Sequence, residues 1–161
     1  MRLCIGVKMD ARKVTIEHMA RLNSGEGWDE AFNIYKGILR HKEDHDLITY
    51  KSKINGMEIR NAIKILSPNQ IVITLSGGAE NIYPMYMGEI SDVIIKEKEY
   101  ELKLKLVCKD VTLSQDKGTM GITVEYDMLT EDMNILTQGY HFFNIYSEAP
   151  KAMAEDPNAI E

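Results

Sequence analysis

Cysteine is scarce in this chain, with only Cys4 and Cys108 among 161 residues. That is too few for a disulfide framework, and the pair lacks metal-ligand spacing. No apolar run is long enough to cross a bilayer, and the opening Met1-Arg-Leu-Cys-Ile-Gly-Val-Lys8 is too short in apolar residues for a signal-peptide core. A basic excess is missing too. The 19 Lys and Arg residues stand against 25 Asp and Glu, for a net charge of −6, which argues against a general binder of phosphate backbones. Catalytic signatures are also absent: there is no Gly-x-Ser-x-Gly, no His-Glu-x-x-His, and no Gly-Lys-Ser/Thr after Gly77-Gly78. These absences leave a cytoplasmic protein with no cofactor motif and no membrane or nucleic-acid partner.

What is present is alternation. An apolar fraction of 44% and a charged fraction of 27% suit one soluble domain with a real core. In Gly118–Thr130, Met120, Ile122, Val124, Tyr126 and Met128 fall on one face of a pleated strand, and Thr123, Glu125 and Asp127 on the other. Asn134–Ser147 answers it as the second arm of a hairpin. Upstream the same grammar repeats. Leu3, Ile5, Val7 and Met9 make a first strand, and Val14, Ile16, His18, Ala20 and Leu22 the inner face of a second. Trp28–Arg40 fits a helix through Trp28, Ala31, Phe32 and Tyr35, but Gly37 and its β-rich neighbours favour a strand.

The charged run His41–Asp46 reads as a hairpin tip, and Asn55-Gly56 as a tight hairpin turn. Strands follow over Leu47–Ile54, Met57–Leu66, Gln70–Ser76, Glu89–Lys96 and Tyr100–Lys109. In the last of these Tyr100, Leu102, Leu104, Leu106 and Cys108 face inward, the cysteine as a buried thiol. Asn81–Gly88 carries Pro84, which predicts an edge or an irregular lid. Nine or ten strands with short connections predict an all-β fold, a single antiparallel meander barrel that curls to remove its edges. A two-sheet sandwich is the competing architecture. The domain spans 1–147, and 148–161 reads as a flexible or short helical tail.

The order of these segments resembles the YwiB-like family of small bacterial proteins. The resemblance rests on Lys13-Val-Thr-Ile-Glu17, the Phe32–Ile54 hairpin with Gly37, the Tyr100-Glu-Leu102 strand, and Gly118-Thr-Met-Gly-Ile-Thr-Val-Glu-Tyr-Asp-Met128. It covers roughly residues 13–147. It implies a calycin-type, lipocalin-like barrel, to which the strand read at Leu3–Met9 is an N-terminal addition, and brings no established activity.

Candidate chemistry is sparse. His41 and His45 with Glu43, Asp44 and Asp46 contain metal-ligand types, but a solvated charged tip is the preferred reading, with no metal. Glu125 and Asp127 read as outer-face charges. His18 and His141 sit on inward faces, His141 with Ile135, Phe143 and Ile145. Each reads as a core histidine satisfied by a neighbouring hydroxyl or carbonyl, or as a general base in a cavity. Tyr83, Met85 and Tyr86 flank Pro84 and suit adaptable apolar contacts. They form either the mouth of a ligand cavity or a plug. The expectation is a non-enzymatic barrel that binds a small apolar ligand through Tyr83, Met85, Tyr86, His18 and His141. An interaction module with a filled barrel is the alternative, and an enzyme using His18 or His141 a third reading. A homodimer is left open.

Overall fold

Ile48 stands opposite Ile63 and Leu39 on its two neighbours, and all three are buried. Such cross-strand apolar layers, one residue in two along each strand, build the fold. The computed structural model describes residues 11–97 and 99–148. The expected strand at Leu3–Met9, and the tail after Glu148, lie outside the described residues.

Ten strands follow in chain order: β1 (Arg12–Asn23), β2 (Trp28–His41), β3 (Asp46–Ile54), β4 (Met57–Ser67), β5 (Gln70–Ser76), β6 (Glu80–Tyr86), β7 (Ile90–Glu97), β8 (Tyr100–Asp116), β9 (Thr119–Leu129) and β10 (Ile135–Ser147). The sheet runs β6-β5-β4-β3-β2-β1-β10-β9-β8-β7, and every pairing is antiparallel. Each neighbour in this order is also a neighbour in sequence except β1 and β10, which join the two chain ends. This is the expected meander barrel.

The remaining seam, between β6 and β7, is stitched rather than laddered. At its lower end the connection 87–89 is held on β8, where Gly88 N–H donates to the Cys108 carbonyl at 2.8 Å and Cys108 N–H to the Glu89 carbonyl at 3.1 Å. Higher up, Lys96 N–H donates to Asn81 Oδ1 at 2.8 Å. The barrel is thus nearly closed.

Asn55 (φ 52°) and Gly56 (φ 81°) both adopt the left-handed region, as a two-residue turn matched to strand twist demands. Trp28–His41 is strand throughout, so the residues at helical spacing fall on both faces, Trp28 and Phe32 on the one and Ala31 and Tyr35 on the other. Asn81–Tyr86 lies within a regular strand paired with β5 along its whole length, Pro84 opposite Val72. The lid expectation is therefore corrected. Proline is tolerated because β6 is the terminal strand of the ladder and its β7 side needs no N–H there.

Two further expectations shift. Leu104 and Leu106 are buried, but Leu102 is 44% exposed, because β8 there reaches the hairpin tip beyond the packed layer. Ile135 does not share the His141 face. The register slips between Ile135 and Thr137, and a bulge of this kind resets the alternation, leaving Ile135 exposed. A second slip, between Cys108 and Asp110, puts Lys109 within reach of Glu125 (3.7 Å) and Asp127 (3.3 Å). Its one ammonium group lies between the two outer carboxylates and balances part of their charge.

The core concentrates toward the end of the barrel that carries the turns at 42–45, 68–69 and 117–118, called the lower end here. Val14, Ile16, Ile48, Ile63, Ile71 and Ile145 are at most 2% exposed there. Each such side chain contributes about 1.5–3 kcal/mol of burial.

Candidate functional site

The upper end, carrying the turns at 24–27, 55–56 and 130–134, is not filled in the same way. Antiparallel pairing sets His18 on β1 directly opposite Phe143 on β10, and Ala20 opposite His141. The two histidines are diagonal neighbours on one inner face, and His18 Nε2 lies 2.9 Å from His141 Nδ1. One strand further, Tyr126 on β9 stands opposite Gly139. A Cβ at position 139 would overlap the Tyr126 ring, so the glycine lets that ring lie across β10. Its hydroxyl then reaches to 3.3 Å from His141 Nε2. The rings stack as well, His18 on Phe143 at 4.3 Å between centroids and Tyr126 beside His141 at 5.7 Å.

A cavity of about 570 Å³ opens beside this chain. Its apolar wall includes Ile73, Leu75, Met85, Leu104 and Met128, and its polar spots are Tyr35, Tyr50, Tyr83, Asn61 and the His18–His141–Tyr126 chain. Leu22, Ile54 and Leu136 form an apolar rim, each more than a third exposed. Among the described lining residues the one charged group is Lys53, exposed on that rim.

Burial controls the protonation of the interior. It lowers both histidines to about 4, and for His141 the neighbouring His18 adds to the effect. Both imidazoles are therefore neutral at pH 7. Burial also raises Tyr126, with Tyr83 contributing, to about 12. Tyr50 is raised by burial and then by Tyr35, and Tyr35 and Tyr83 are raised chiefly by burial. The tyrosines keep their protons.

Two neutral imidazoles and one phenol permit two consistent hydrogen-bond settings. In one, His18 Nε2–H donates to His141 Nδ1 and His141 Nε2–H donates to the Tyr126 oxygen. In the other, the Tyr126 hydroxyl donates to His141 Nε2 and His141 Nδ1–H donates to His18 Nε2. The first setting frees the phenol to donate onward, and the second frees His18 Nδ1–H. The chain can thus offer a donor at one end and an acceptor at the other, without forming a charge.

Of the residues singled out in the sequence, His18, His141, Tyr83 and Met85 all line this cavity. Tyr86 does not. It alternates with Met85 along β6 and points to the opposite face with Ile82 and Pro84. The mouth is also misplaced by the sequence reading, since β6 descends from Glu80 toward Gly88 at the lower end, away from the rim. Tyr35, Tyr50 and Tyr126 were not singled out. Their signal was an aromatic with a polar handle recurring on apolar faces, which looks the same as ordinary core until the strands are assembled. At the lower end His41 Nδ1 pairs with Asp46 at 2.8 Å and His45 Nδ1 with Asp44 at 2.7 Å. Among the described residues no three His, Cys, Asp or Glu side chains converge as a metal site would require. Cys108 is a free, buried thiol, and burial raises it to about 11.

A second opening lies in the wall itself. β2 pairs with β3 only over Gly37–His41, although it pairs with β1 over Arg12–Asn23 for its full length. Above Gly37 the strands part, and the cleft between them is lined by Tyr35, Tyr50 and Asn61. The same three residues line the interior cavity, and the Tyr35 and Tyr50 rings stack at 4.8 Å between centroids where cleft and cavity adjoin.

No protein with a curated description matches the chain in sequence. Among solved structures, the crystal structure of the YwiB protein from Bacillus subtilis is similar, with a TM-score of 0.76 at 14% identity. The match covers 87% of this chain and 94% of that one. At that identity the likeness speaks for the barrel alone. A family model described as a domain of unknown function, DUF1934, matches residues 14–141. That span runs from the first buried residue of β1 through the second histidine of the pair, and the chain belongs to this family.

Proposed function

We propose that this protein is a non-enzymatic, cytoplasmic barrel that binds a small, largely apolar and uncharged ligand in its upper half. The observation that carries this reading is the cavity of about 570 Å³ with a neutral His18–His141–Tyr126 chain on its wall. That volume falls among those of small-molecule sites, which combine apolar walls with a few placed polar groups. Ile73, Leu75, Met85, Leu104 and Met128 would hold the apolar body. The histidine–tyrosine chain and Tyr83 would take a carbonyl or hydroxyl head, and the exchange of tautomers lets one site accept either type. An ionised head would have to be desolvated among groups that cannot balance its charge, which costs several kcal/mol. A cytoplasmic setting agrees with the free Cys108 thiol.

The test is titration with a neutral apolar dye, Nile red, against wild type and Ala20→Phe. Ala20 lines the cavity beside His141, so a phenyl ring there projects into it beside the histidine–tyrosine chain and obstructs it. Saturable binding to wild type that is lost in a folded Ala20→Phe variant supports the reading. Equal binding to both, or none to folded wild type, removes it.

A further inference from the structure

The upper half of β2 is a strand with one open side. Among the described residues, Trp28–Lys36 is paired by β1 on one edge and by no strand on the other. Exposed edges are ordinarily blunted by proline, inward-pointing charge or short length. The terminal strand β6 follows that rule with Pro84, but this stretch of β2 is nine residues long and has no proline. Its outward side chains include Phe32, 60% exposed, and Ile34, 57% exposed. Phe32 continues an apolar row across the outer surface, opposite Met19, which in turn stands opposite Phe142.

The segment Glu30-Ala-Phe-Asn-Ile-Tyr-Lys36 is complementary to itself when reversed. Laid antiparallel on a second copy about a two-fold axis at Asn33, it sets Glu30 opposite Lys36, Phe32 opposite Ile34 and Ala31 opposite Tyr35. An isologous contact then repeats each pair twice. Opposite charges and aromatic–aliphatic pairs placed directly across from each other are the favourable cross-strand combinations. The flanking charges extend the match. Arg21 already contacts Glu30 at 3.1 Å, and Lys36 contacts Glu148 at 3.3 Å. Across the joint the order becomes Arg21, Glu30, then Lys36 and Glu148 of the second copy, alternating in sign throughout.

We propose that two copies of this chain associate through Glu30–Lys36, adding the β2 edge of one barrel to the β2 edge of the other in the register centred on Asn33. The occupant is a second copy, because the charge order and the apolar pairs both close on themselves. The joint covers the exposed Phe32 and Ile34 side chains and satisfies the open edge. This association does not depend on what the cavity holds.

Sedimentation velocity across a concentration series tests it, using Glu30→Lys and Lys36→Glu. Both positions are exposed side chains, and circular dichroism checks that each variant is folded. Wild type should sediment as a dimer. Each variant alone places like charges opposite each other at both ends and should shift toward monomer. An equimolar mixture of the two restores both opposite-charge pairs and should form a heterodimer. A wild type that stays monomeric overturns the proposal, and so does a mixture that associates no better than its components. Monomeric wild type in which the alternate Glu30–Lys36 amides that face away from β1 are protected from hydrogen exchange would assign the edge to another segment of the same chain, which also overturns it.

Discussion

The two ends of this barrel are built from the same strands and reach different outcomes. At the lower end, inner-face positions are aliphatic or methionine, among them Val14, Leu39, Ile48, Met120 and Ile145, and β2 and β3 are fully laddered. At the upper end, the same inner faces carry His18, Tyr35, Tyr50, Tyr83, Tyr126 and His141, the β2–β3 ladder ends at Gly37, and a cavity remains. A β-branched side chain needs only neighbours, whereas a tyrosine or histidine also needs a hydrogen-bond partner. Packing both kinds to full density in one small barrel is difficult. The difference divides the molecule into a lower half that holds the fold and an upper half with room for something else.

Substitutions should separate the two ends. The largest expected effect is at the lower end, where Ile48→Ala removes most of a side chain with no measurable exposure. It should cost about 2–5 kcal/mol in urea unfolding, since the surrounding layer cannot collapse into the gap. A much smaller loss would mean that the lower end is as loosely packed as the upper.

Acid should act on the upper end. His18 and His141 are held near 4 in the folded protein, below their ordinary value of 6.5. Between those values the unfolded chain takes up protons that the folded chain refuses, so stability falls as pH drops from about 6.5 through about 4. The loss should be on the order of a few kcal/mol for the coupled pair. Urea melts of wild type and a His18→Phe, His141→Phe double variant at pH 7 and pH 4.5 would measure it. Parallel losses in both proteins would show that the histidine pair is not the acid-sensitive element.

A smaller effect is expected at Gly139, where the comparison can be sharpened at one atom. Gly139→Ala sets a methyl group against the Tyr126 ring and should cost about 1–3 kcal/mol, as overpacking usually does. Tyr126→Phe in the Gly139→Ala background should then change stability little, because the hydroxyl would already have lost His141. Additive losses in the double variant would show that the ring moves aside without breaking the hydrogen bond.

Much of the fold was legible because it depends on local alternation. Val14-Thr-Ile, Leu104-Lys-Leu and Ile122-Thr-Val declare their inner faces residue by residue, and Asn55-Gly56 declares its turn. The strand at Trp28–His41 was recoverable despite aromatics at helical spacing, since Gly37 and the neighbouring strands weighed against a helix. Bulges were not recoverable. The slips at Lys109 and Leu136 each change which residues face inward beyond them, and nothing in the local composition marks the extra residue. The site was half legible for the same reason. His18 and His141 could each be placed on an inner face, but they are 123 positions apart, and their contact exists only because β1 and β10 join the chain ends. Pro84 drew attention to Tyr83, Met85 and Tyr86 together, yet alternation sends Tyr86 outward. Tyr126 could be assigned its face, but its role depends on Gly139 clearing the way on the next strand.

The central claim is that the upper half of the barrel is an occupied or occupiable site and the lower half is solid core. Native mass spectrometry of the protein purified from its own host, under conditions gentle enough to keep non-covalent contacts, tests it most directly. The account predicts a bound species of small-molecule mass on wild type that is released by organic solvent and absent from a folded Ala20→Phe variant. Wild type appearing at its bare chain mass, and still taking up no Nile red when the dye is supplied, would contradict it.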